Sequence, residues 1–432
     1  MMKFSSRQTG SAQVNSNVSP STTSSPPLLG LAALLRMNFS GADLTPLGQE
    51  LLARAEADAA DACALMDAAT ILQFKGNHDL ALAMQRQALQ LRQHFCLPAQ
   101  LPPAQLRVLA LMAPGDLMAN VPLECLVEGS AVDLHLYYIV PGEPPTDPIP
   151  EHDVLFVALS ETEENGPLLD HLHLALADWP QPVLNRPDRI RRVARDAASR
   201  ILNGIPGIAM PPTQRAARGV LAQIAAGSSP LDALLPGCEF PLIVRPLDSH
   251  AGHDLQKIDD VTALQDYLDT VAQQDFFVSP FIDYRSADGL FRKYRVALID
   301  GRPFACHMGI SSHWMIHYLN AGMADSAEKR AEEAAFMASF DGDFARRHET
   351  ALRAIHERIG LEYVCIDCAE TADGRLLIFE VDHAMVVHAL DPVDIYPYKL
   401  PQMHKVFRAF CDMLGHYADN GRGGRPLPTA TP

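Results

Sequence analysis

The chain of 432 residues lacks several features that would assign it to a class of protein at once. It has no apolar run of the roughly 18 residues that a transmembrane helix needs, and residues 1–27 have no apolar core of a signal peptide. An excess of positive charge is also absent. The formal net charge of -17 disfavours attraction to nucleic acid or to an anionic membrane surface. We therefore expect a cytoplasmic protein with a small-molecule or peptide partner.

Cysteines are few, and most of the eight stand singly in apolar segments. Cys365 and Cys368 form the one CxxC spacing, which admits a redox or zinc interpretation beside that of buried thiols. Strand-like alternation would place these two cysteines on opposite faces. The pattern therefore favours buried thiols over a shared metal.

The first hundred residues differ in composition from the remainder. Residues 1–27 are rich in Ser, Thr, Asn and Pro and predict a disordered tail. Residues 28–98 carry Ala- and Leu-rich runs with a helical period, broken at 75–77, and predict two antiparallel helices around that break. The stretch 72–91 resembles one tetratricopeptide-type pair. A small helical extension is the preferred interpretation, and a repeat array is the alternative.

Strands alternating with helices begin after Pro103 and predict an α/β fold. A first α/β domain is expected over 104–187, with strands in 106–114, 132–140, 153–160 and 182–187. Residues 188–202 predict a basic helix, and from 240 a second α/β unit extends to about 414. A loose C-terminal tail is expected over 416–432.

A short apolar strand over 240–246 ends in the fixed positive charge of Arg245. The small residues Ser249, Ala251 and Gly252 follow at once and would let main-chain N–H groups approach a phosphate closely. An ordinary hairpin turn is the alternative for this segment alone.

Carboxylates stand on a predicted hairpin whose two strands are joined by the Asp-Gly turn of 372–375. Glu380 and Asp382 are two residues apart and share one face of their strand, and Asp367 can face them from the neighbouring strand. Three converging carboxylates would repel one another unless a cation lies between them. The pattern therefore predicts a magnesium site at this hairpin.

Several motifs in this order resemble the ATP-grasp enzymes, especially the ribosomal-protein glutamate ligase and D-alanine:D-alanine ligase branches. The likeness extends from about residue 105 to 415. It rests on VLNRPDRI, GIPGIAMPPT, PLIVRP with SHAG, FFVSPFID, KYRVALIDG, and CID paired with IFEVD. The resemblance implies an α/β fold in which a pre-ATP-grasp domain precedes two α+β subdomains over 188–415, with a nucleotide lid at about 240–282.

The resemblance also implies site residues. Arg245 would replace the usual lysine on the nucleotide phosphates, and Arg295 would lie near the transferred phosphate. Asp367, Glu380 and Asp382 would hold Mg²⁺, or Mn²⁺ in its place. The remaining nucleotide contacts would come from Arg200, Ser249, His250, Ala251, Gly252, Ser279, Pro280, Phe281 and Ile282. Pro280 stands where many relatives have glutamate, so adenine recognition would rely on the main chain.

Two segments depart from the family pattern, over 311–320 and 381–388, and both bear on the substrate. The expected substrate contacts are Arg292, Lys293, His313, His317, Asn320, His383 and His388. The activity implied is ATP-dependent joining of a carboxylate to an amine through an acyl phosphate, with an amino acid or peptide as substrate. A thiol nucleophile, or a scaffold with a decayed ATP site, are the alternatives. A peptide or protein carrier at the helical part and a homodimer are the expected partners.

Overall fold

A computed structural model describes residues 26–247, 249, 252–317 and 320–421. It contains three sheets and a helical N-terminal part. The α/β class that the alternation of strands and helices predicts is therefore confirmed. Across these described ranges, every helix is too short or too polar to span a bilayer. Of the predicted tails at 1–27 and 416–432, residues 1–25 and 422–432 lie outside the described residues.

Four helices form the N-terminal part, and the predicted helix pair around 75–77 is confirmed. The helices are α1 (Leu31–Phe39), α2 (Thr45–Ala57), α3 (Ala62–Phe74) and α4 (His78–Leu91). Ala88 and Leu89 of α4 are buried in the same apolar core as the sheet that follows. This part is thus packed into the body of the molecule, and its likeness to a tetratricopeptide pair stays a prediction.

The first sheet has the strand order β1-β3-β2-β4-β5. Its strands are β1 (His94–Leu97), β2 (Leu106–Met112), β3 (Val132–Tyr138), β4 (Val154–Val157) and β5 (Val183–Leu184), with helices α5 (Leu123–Leu126) and α6 (Gly166–Ala175). All pairs are parallel except β1 with β3. The helical prediction for the end of 28–98 was wrong at β1, because Phe95 is buried and the segment pairs with β3.

The predicted basic helix of 188–202 is interrupted. It divides into α7 (Pro187–Ile190), a 3-10 turn at Arg191–Val193, and α8 (Arg195–Leu202). Ala194 has φ -48° and ψ 135°. This backbone conformation is extended, so it ends the 3-10 turn before α8 begins. Because α8 begins only at Arg195, that side chain lies at the helix N-terminus. The short strand β6 (Ile208–Ala209) follows.

The second sheet is antiparallel, with the order β7-β10-β8-β9. Its elements are β7 (Gln214–Ala217), α9 (Arg218–Ala225), β8 (Leu242–Pro246), β9 (Gln256–Ile258), α10 (Val261–Thr270) and β10 (Asp275–Pro280). Val244, Leu264 and Phe276 belong to an apolar core of its own. The sheet begins before the predicted lid boundary at 240, because β7 pairs with β10.

The third sheet has the order β12-β11-β13-β14-β6. Its elements are β11 (Phe291–Ile299), β12 (Arg302–Ser311), α11 (Ala327–Ser339), α12 (Phe344–Arg347), α13 (Glu349–Ile359), β13 (Tyr363–Glu370), β14 (Leu376–Asp382) and α14 (Lys399–Gly421). The antiparallel pairing of β13 with β14 confirms the predicted hairpin. The prediction of a loose tail was wrong for 416–421, because α14 remains helical to Gly421 and buries Ala418.

Candidate active site

A cavity of about 600 Å³ is lined by residues of the second and third sheets. This volume lies within the range of pockets that hold small molecules and cofactors. Helices α1, α8 and α14, the segment after β14 and parts of 117–122 and 210–213 also contribute to its walls. Its charged lining residues are Arg195, Arg245, Lys293, Arg295, Asp367, Glu380, Asp382, Asp391 and Lys399.

Asp367 is buried on β13 between two cations. Arg295 donates from Nε to Oδ1 at 2.8 Å and from Nη2 to Oδ2 at 3.0 Å, and Lys293 Nζ lies 2.7 Å from Oδ2. Arg295 and Lys293 are two residues apart on β11, so their side chains share a face of that strand. Although burial opposes ionisation, these cations hold the pKa of Asp367 far below its usual range.

The other two carboxylates of the predicted magnesium site lie on β14. Asp367 pairs directly with Glu380 across the β13–β14 ladder, and Asp382 follows on the same strand. Glu380 forms an ion pair with Arg195, which also donates to the Phe379 carbonyl at 3.2 Å. Burial and the neighbouring Glu380 charge raise the pKa of Asp382 to about 7.

Two of the three carboxylates, Glu380 and Asp382, are candidate ligands of a divalent cation. Asp382 accepts a hydrogen bond from Ala384 N at 2.9 Å, and a cation beside it would offset the effects of burial and of the Glu380 charge on its ionised form. Glu380 forms one ion pair, with Arg195, and the Arg245 and Lys293 charges also lower its pKa, while Asp367 forms two ion pairs. Glu380 and Asp382 are therefore the residues best placed to hold Mg²⁺. No cluster of three metal-binding side chains is found among the described residues.

Arg245 projects into the cavity from β8 of the second sheet. Its guanidinium donates to Ser249 Oγ at 3.2 Å and to the Ser249 carbonyl. Burial, together with the nearby Arg195 charge, lowers the pKa of Arg245 to about 9. Among the described residues, no carboxylate lies within salt-bridge range of Arg245, and a buried cation in such surroundings is suited to an anion from solution.

The loop after β8 is described only in part. Gly252 lines the cavity. Ser249 accepts a hydrogen bond from the cavity residue Arg245. His250 and Ala251 lie outside the described residues, so their predicted phosphate contacts stay predictions.

The predicted adenine segment at the end of β10 lines one end of the cavity, with Ser279, Pro280, Phe281 and Ile282. Phe281 N–H already donates to the Pro241 carbonyl at 2.9 Å. The predicted main-chain recognition must therefore use other backbone groups of this segment. The rings of Phe281 and Trp314 lie edge to face, with centroids 5.6 Å apart, and give this end an aromatic wall.

Several predicted contacts lie away from the cavity. Arg200 is 71% exposed and pairs with Asp196 on its own helix, so the cavity cation from α8 is Arg195 and the prediction for Arg200 is not supported by its position. Arg292 pairs with Asp288 and Glu332. His313 borders a neighbouring groove, and Asn320 Oδ1 accepts from His317 N.

Of the remaining predicted substrate residues, Lys293, His317 and His388 line the cavity and His383 does not. His383 is fully buried, and its Nε2 contacts the Leu159 carbonyl at 2.8 Å. Burial lowers its pKa to about 4, which indicates a neutral packing residue. Burial and the nearby Lys293 charge also lower the pKa of His317.

Sequence reasoning missed one entire wall of the cavity. Leu31, Leu35 and Phe39 of α1 line it, and the Phe39 ring lies 5.0 Å from that of His388. Their spacing of four residues was the available signal, since it defines one helix face. Arg195 was missed because its position depends on the interruption at Ala194.

No protein-family model and no curated protein matches the chain. Solved structures do resemble it. VanG D-Ala:D-Ser ligase from Enterococcus faecalis is 14% identical, with a TM-score of 0.46 over 72% of this chain and 99% of that one. A RimK domain ATP-grasp protein from Sphaerobacter thermophilus is 17% identical, with a TM-score of 0.40 over 71% and 99%. D-alanine–D-alanine ligase from Coxiella burnetii is 12% identical, with a TM-score of 0.45 over 74% and 97%.

Proposed function

We propose that the chain is an ATP-grasp ligase that joins a carboxylate to an amine and releases ADP. The observation that carries this proposal is the composition of one cavity. It combines the buried cation Arg245 of the second sheet with the acidic and basic cluster around Asp367 on the third sheet. A polyanionic nucleotide and an activated carboxylate both require such an arrangement of charges.

The protein's own residues would act mainly by electrostatic positioning. Arg245 and Arg195 would bind phosphate oxygens, and Lys293 and Arg295 would stabilise negative charge at the carboxylate that becomes an acyl phosphate. The apolar walls would limit access of water to this reactive anhydride. Glu380 and Asp382 would hold Mg²⁺, which supplies charge neutralisation on the nucleotide when bound.

The two alternatives to a carboxylate–amine ligase are a scaffold with a decayed site and a ligase with a thiol nucleophile. A scaffold with a decayed site is favoured by the ion pairs of Asp367 and Glu380, because protein cations already balance two of the three carboxylates. A thiol nucleophile fits the same cavity, since the geometry of the phosphate end does not depend on the attacking atom. The peptide or protein carrier, the homodimer and the cytoplasmic location stay predictions.

The test is a nucleotide-release screen. Purified protein is incubated with ATP, Mg²⁺ and pairs of amino acids or short peptides, ADP is measured, and product mass is determined by mass spectrometry. A condensation product that forms with ADP release only when Mg²⁺ is present is the expected result. ATP binding without any turnover would favour the scaffold, and a thioester product would assign the thiol nucleophile.

A further inference from the structure

We infer that helix α1 forms the binding wall for an apolar group of the substrate, which makes that substrate a hydrophobic amino acid or a peptide ending in one. This inference rests on the proposed ligase function and specifies its substrate class. It starts from apolar residues in the cavity lining that lie outside the predicted adenine segment. They include Leu31, Leu35, Phe39, Leu117, Met118 and Met385.

Helix α1 has two apolar faces with different surroundings. Ala32 and Leu34 are buried, and Leu34 packs with residues of α2 and α3 in a core of their own. Leu31, Leu35 and Phe39, four residues apart, instead face the cavity, and Phe39 is 41% exposed. Binding of an apolar ligand to such a face is favourable, because it removes apolar surface of both the helix and the ligand from water.

The start of α1 is fixed by two carboxylates from different elements. Asp67 of α3 accepts from Leu29 N at 2.8 Å and from Gly30 N at 3.0 Å, and Glu124 of α5 accepts from Ala32 N at 2.9 Å. Gly30 has φ 85°, and a Cβ added there would lie 2.5 Å from Glu124 Oε2. Glycine is thus required where α1 meets α5, and the wall is held in place before any ligand binds.

The apolar wall lies close to the charged centre. Arg295 Nη1 donates to the Val386 carbonyl at 3.1 Å, while His388, two residues further along, contacts the Phe39 ring. A substrate whose carboxylate or amine lies near Arg295 and Lys293 therefore has its side chain within reach of α1. The two charged groups beyond His388, Asp391 and Lys399, are paired with each other at 3.3 Å. This pairing leaves an apolar side chain as the complementary partner of α1.

Calorimetry can test this assignment with defined probes. Leucine, phenylalanine and the dipeptide Leu-Leu are titrated into the full-length protein with Mg²⁺ and a non-hydrolysable ATP analogue, and separately without nucleotide; serine and aspartate serve as polar probes. Apolar probes are expected to bind more tightly. Phe39→Ala and Leu35→Asn are expected to raise their Kd about tenfold or more, with the affinity for the ATP analogue unchanged.

Leu52→Asn is the matched control, because Leu52 is an exposed leucine of α2 away from the cavity. It should leave every Kd as in the wild type. Thermal melting of each variant separates loss of binding from loss of fold, and Phe39→Ala, at a half-exposed site, keeps the test valid if Leu35→Asn fails to fold. Equal binding of polar and apolar probes, unchanged Kd in Phe39→Ala, or no binding of any probe would overturn the inference. Failure of the ATP analogue to bind, with apolar probes still sensitive to Phe39→Ala, would instead overturn the ligase function.

Discussion

Asp367 holds its negative charge between Arg295 and Lys293, while Asp382 shares its surroundings with Glu380. These two situations predict different responses to a divalent cation. A carboxylate already balanced by two cations gains little from Mg²⁺, whereas Glu380 and Asp382 gain a common partner. The metal-dependent behaviour of the site should therefore depend chiefly on Glu380 and Asp382.

Replacing Glu380 with glutamine tests this dependence. Glu380→Gln keeps the side-chain volume but removes one charge, so we expect ADP release to be abolished at limiting Mg²⁺ with the melting temperature little changed. Activity is measured by ADP release across a magnesium titration. The control is Glu370→Gln on the adjoining strand, which removes a carboxylate that pairs with Arg347 and His348 away from the cavity. Wild-type activity of Glu380→Gln at limiting Mg²⁺ would contradict the metal assignment.

Arg245 offers a second test at the residue scale. Loss of one charge-assisted contact costs roughly 1.5 to 3 kcal/mol, so Arg245→Ala should weaken ATP binding by about tenfold to hundredfold. Arg245→Lys should retain part of the affinity, because lysine keeps the charge but loses the paired N–H groups. Calorimetric titration with ATP measures both.

Arg200→Ala provides the comparison for this series. Its side chain is exposed outside the cavity, so the Kd for ATP should stay as in the wild type. The reverse order, with Arg200→Ala weakened and Arg245→Ala unchanged, would move the phosphate contact from Arg245 to Arg200.

At the scale of elements, the alternation of apolar residues predicted structures that depend on neighbouring residues in the chain. The hairpin of β13 and β14 followed from two alternating runs around an Asp-Gly turn, and its register brings Asp367 opposite Glu380 as expected.

The surroundings of α1 did not follow from the sequence. Its contact with α5 joins residues far apart in the chain, through Glu124 and Ala32. A helix with two apolar faces is compatible with several packings, and only tertiary contacts select one of them.

The contact between α1 and α5 should make stability depend on pH. Burial raises the pKa of Glu124 from 4.5 to about 7. Because the folded state holds this proton more tightly than the unfolded state, the stabilisation is complete below pH 4.5 and is lost as pH rises through about 7. The loss amounts to at most about 3.5 kcal/mol, at roughly 1.4 kcal/mol for each pKa unit.

Glu124→Gln should remove this part of the pH dependence, since glutamine stays neutral and its carbonyl can still accept from Ala32 N. The free energy of unfolding is measured by urea denaturation between pH 4.5 and 7, the interval given by the shift. Glu128→Gln, which removes a carboxylate paired with Arg36 at the surface, should keep the wild-type slope. An identical slope in Glu124→Gln and the wild type would rule out this role for Glu124.

At the scale of the whole molecule, the apolar cores divide the chain differently from the sequence boundaries. The core of the first sheet also contains residues of α3, α4 and the third sheet, while the second sheet has a separate core. The composition change near residue 100 correctly marked a change of secondary structure. It did not mark the limit of a packed unit, because packing depends on which apolar faces meet and not on local composition.

Because the helical part shares one core with the first and third sheets, a destabilising substitution in it should lower the unfolding midpoint of both sheets. Leu89 of α4 is 2% exposed, so Leu89→Ala should lower the free energy of unfolding by about 2 to 5 kcal/mol. Leu80→Ala on the same helix is the control, because Leu80 is 55% exposed and should change stability by less than about 0.5 kcal/mol.

The chain has two tryptophans, Trp179 near the first sheet and Trp314 at the cavity. Their emission can be followed separately in the single replacements Trp179→Phe and Trp314→Phe. Leu89→Ala should shift the unfolding midpoint of both tryptophans equally. A shift confined to Trp179, or to neither, would mean that the helical part unfolds independently of the site to which α1 contributes.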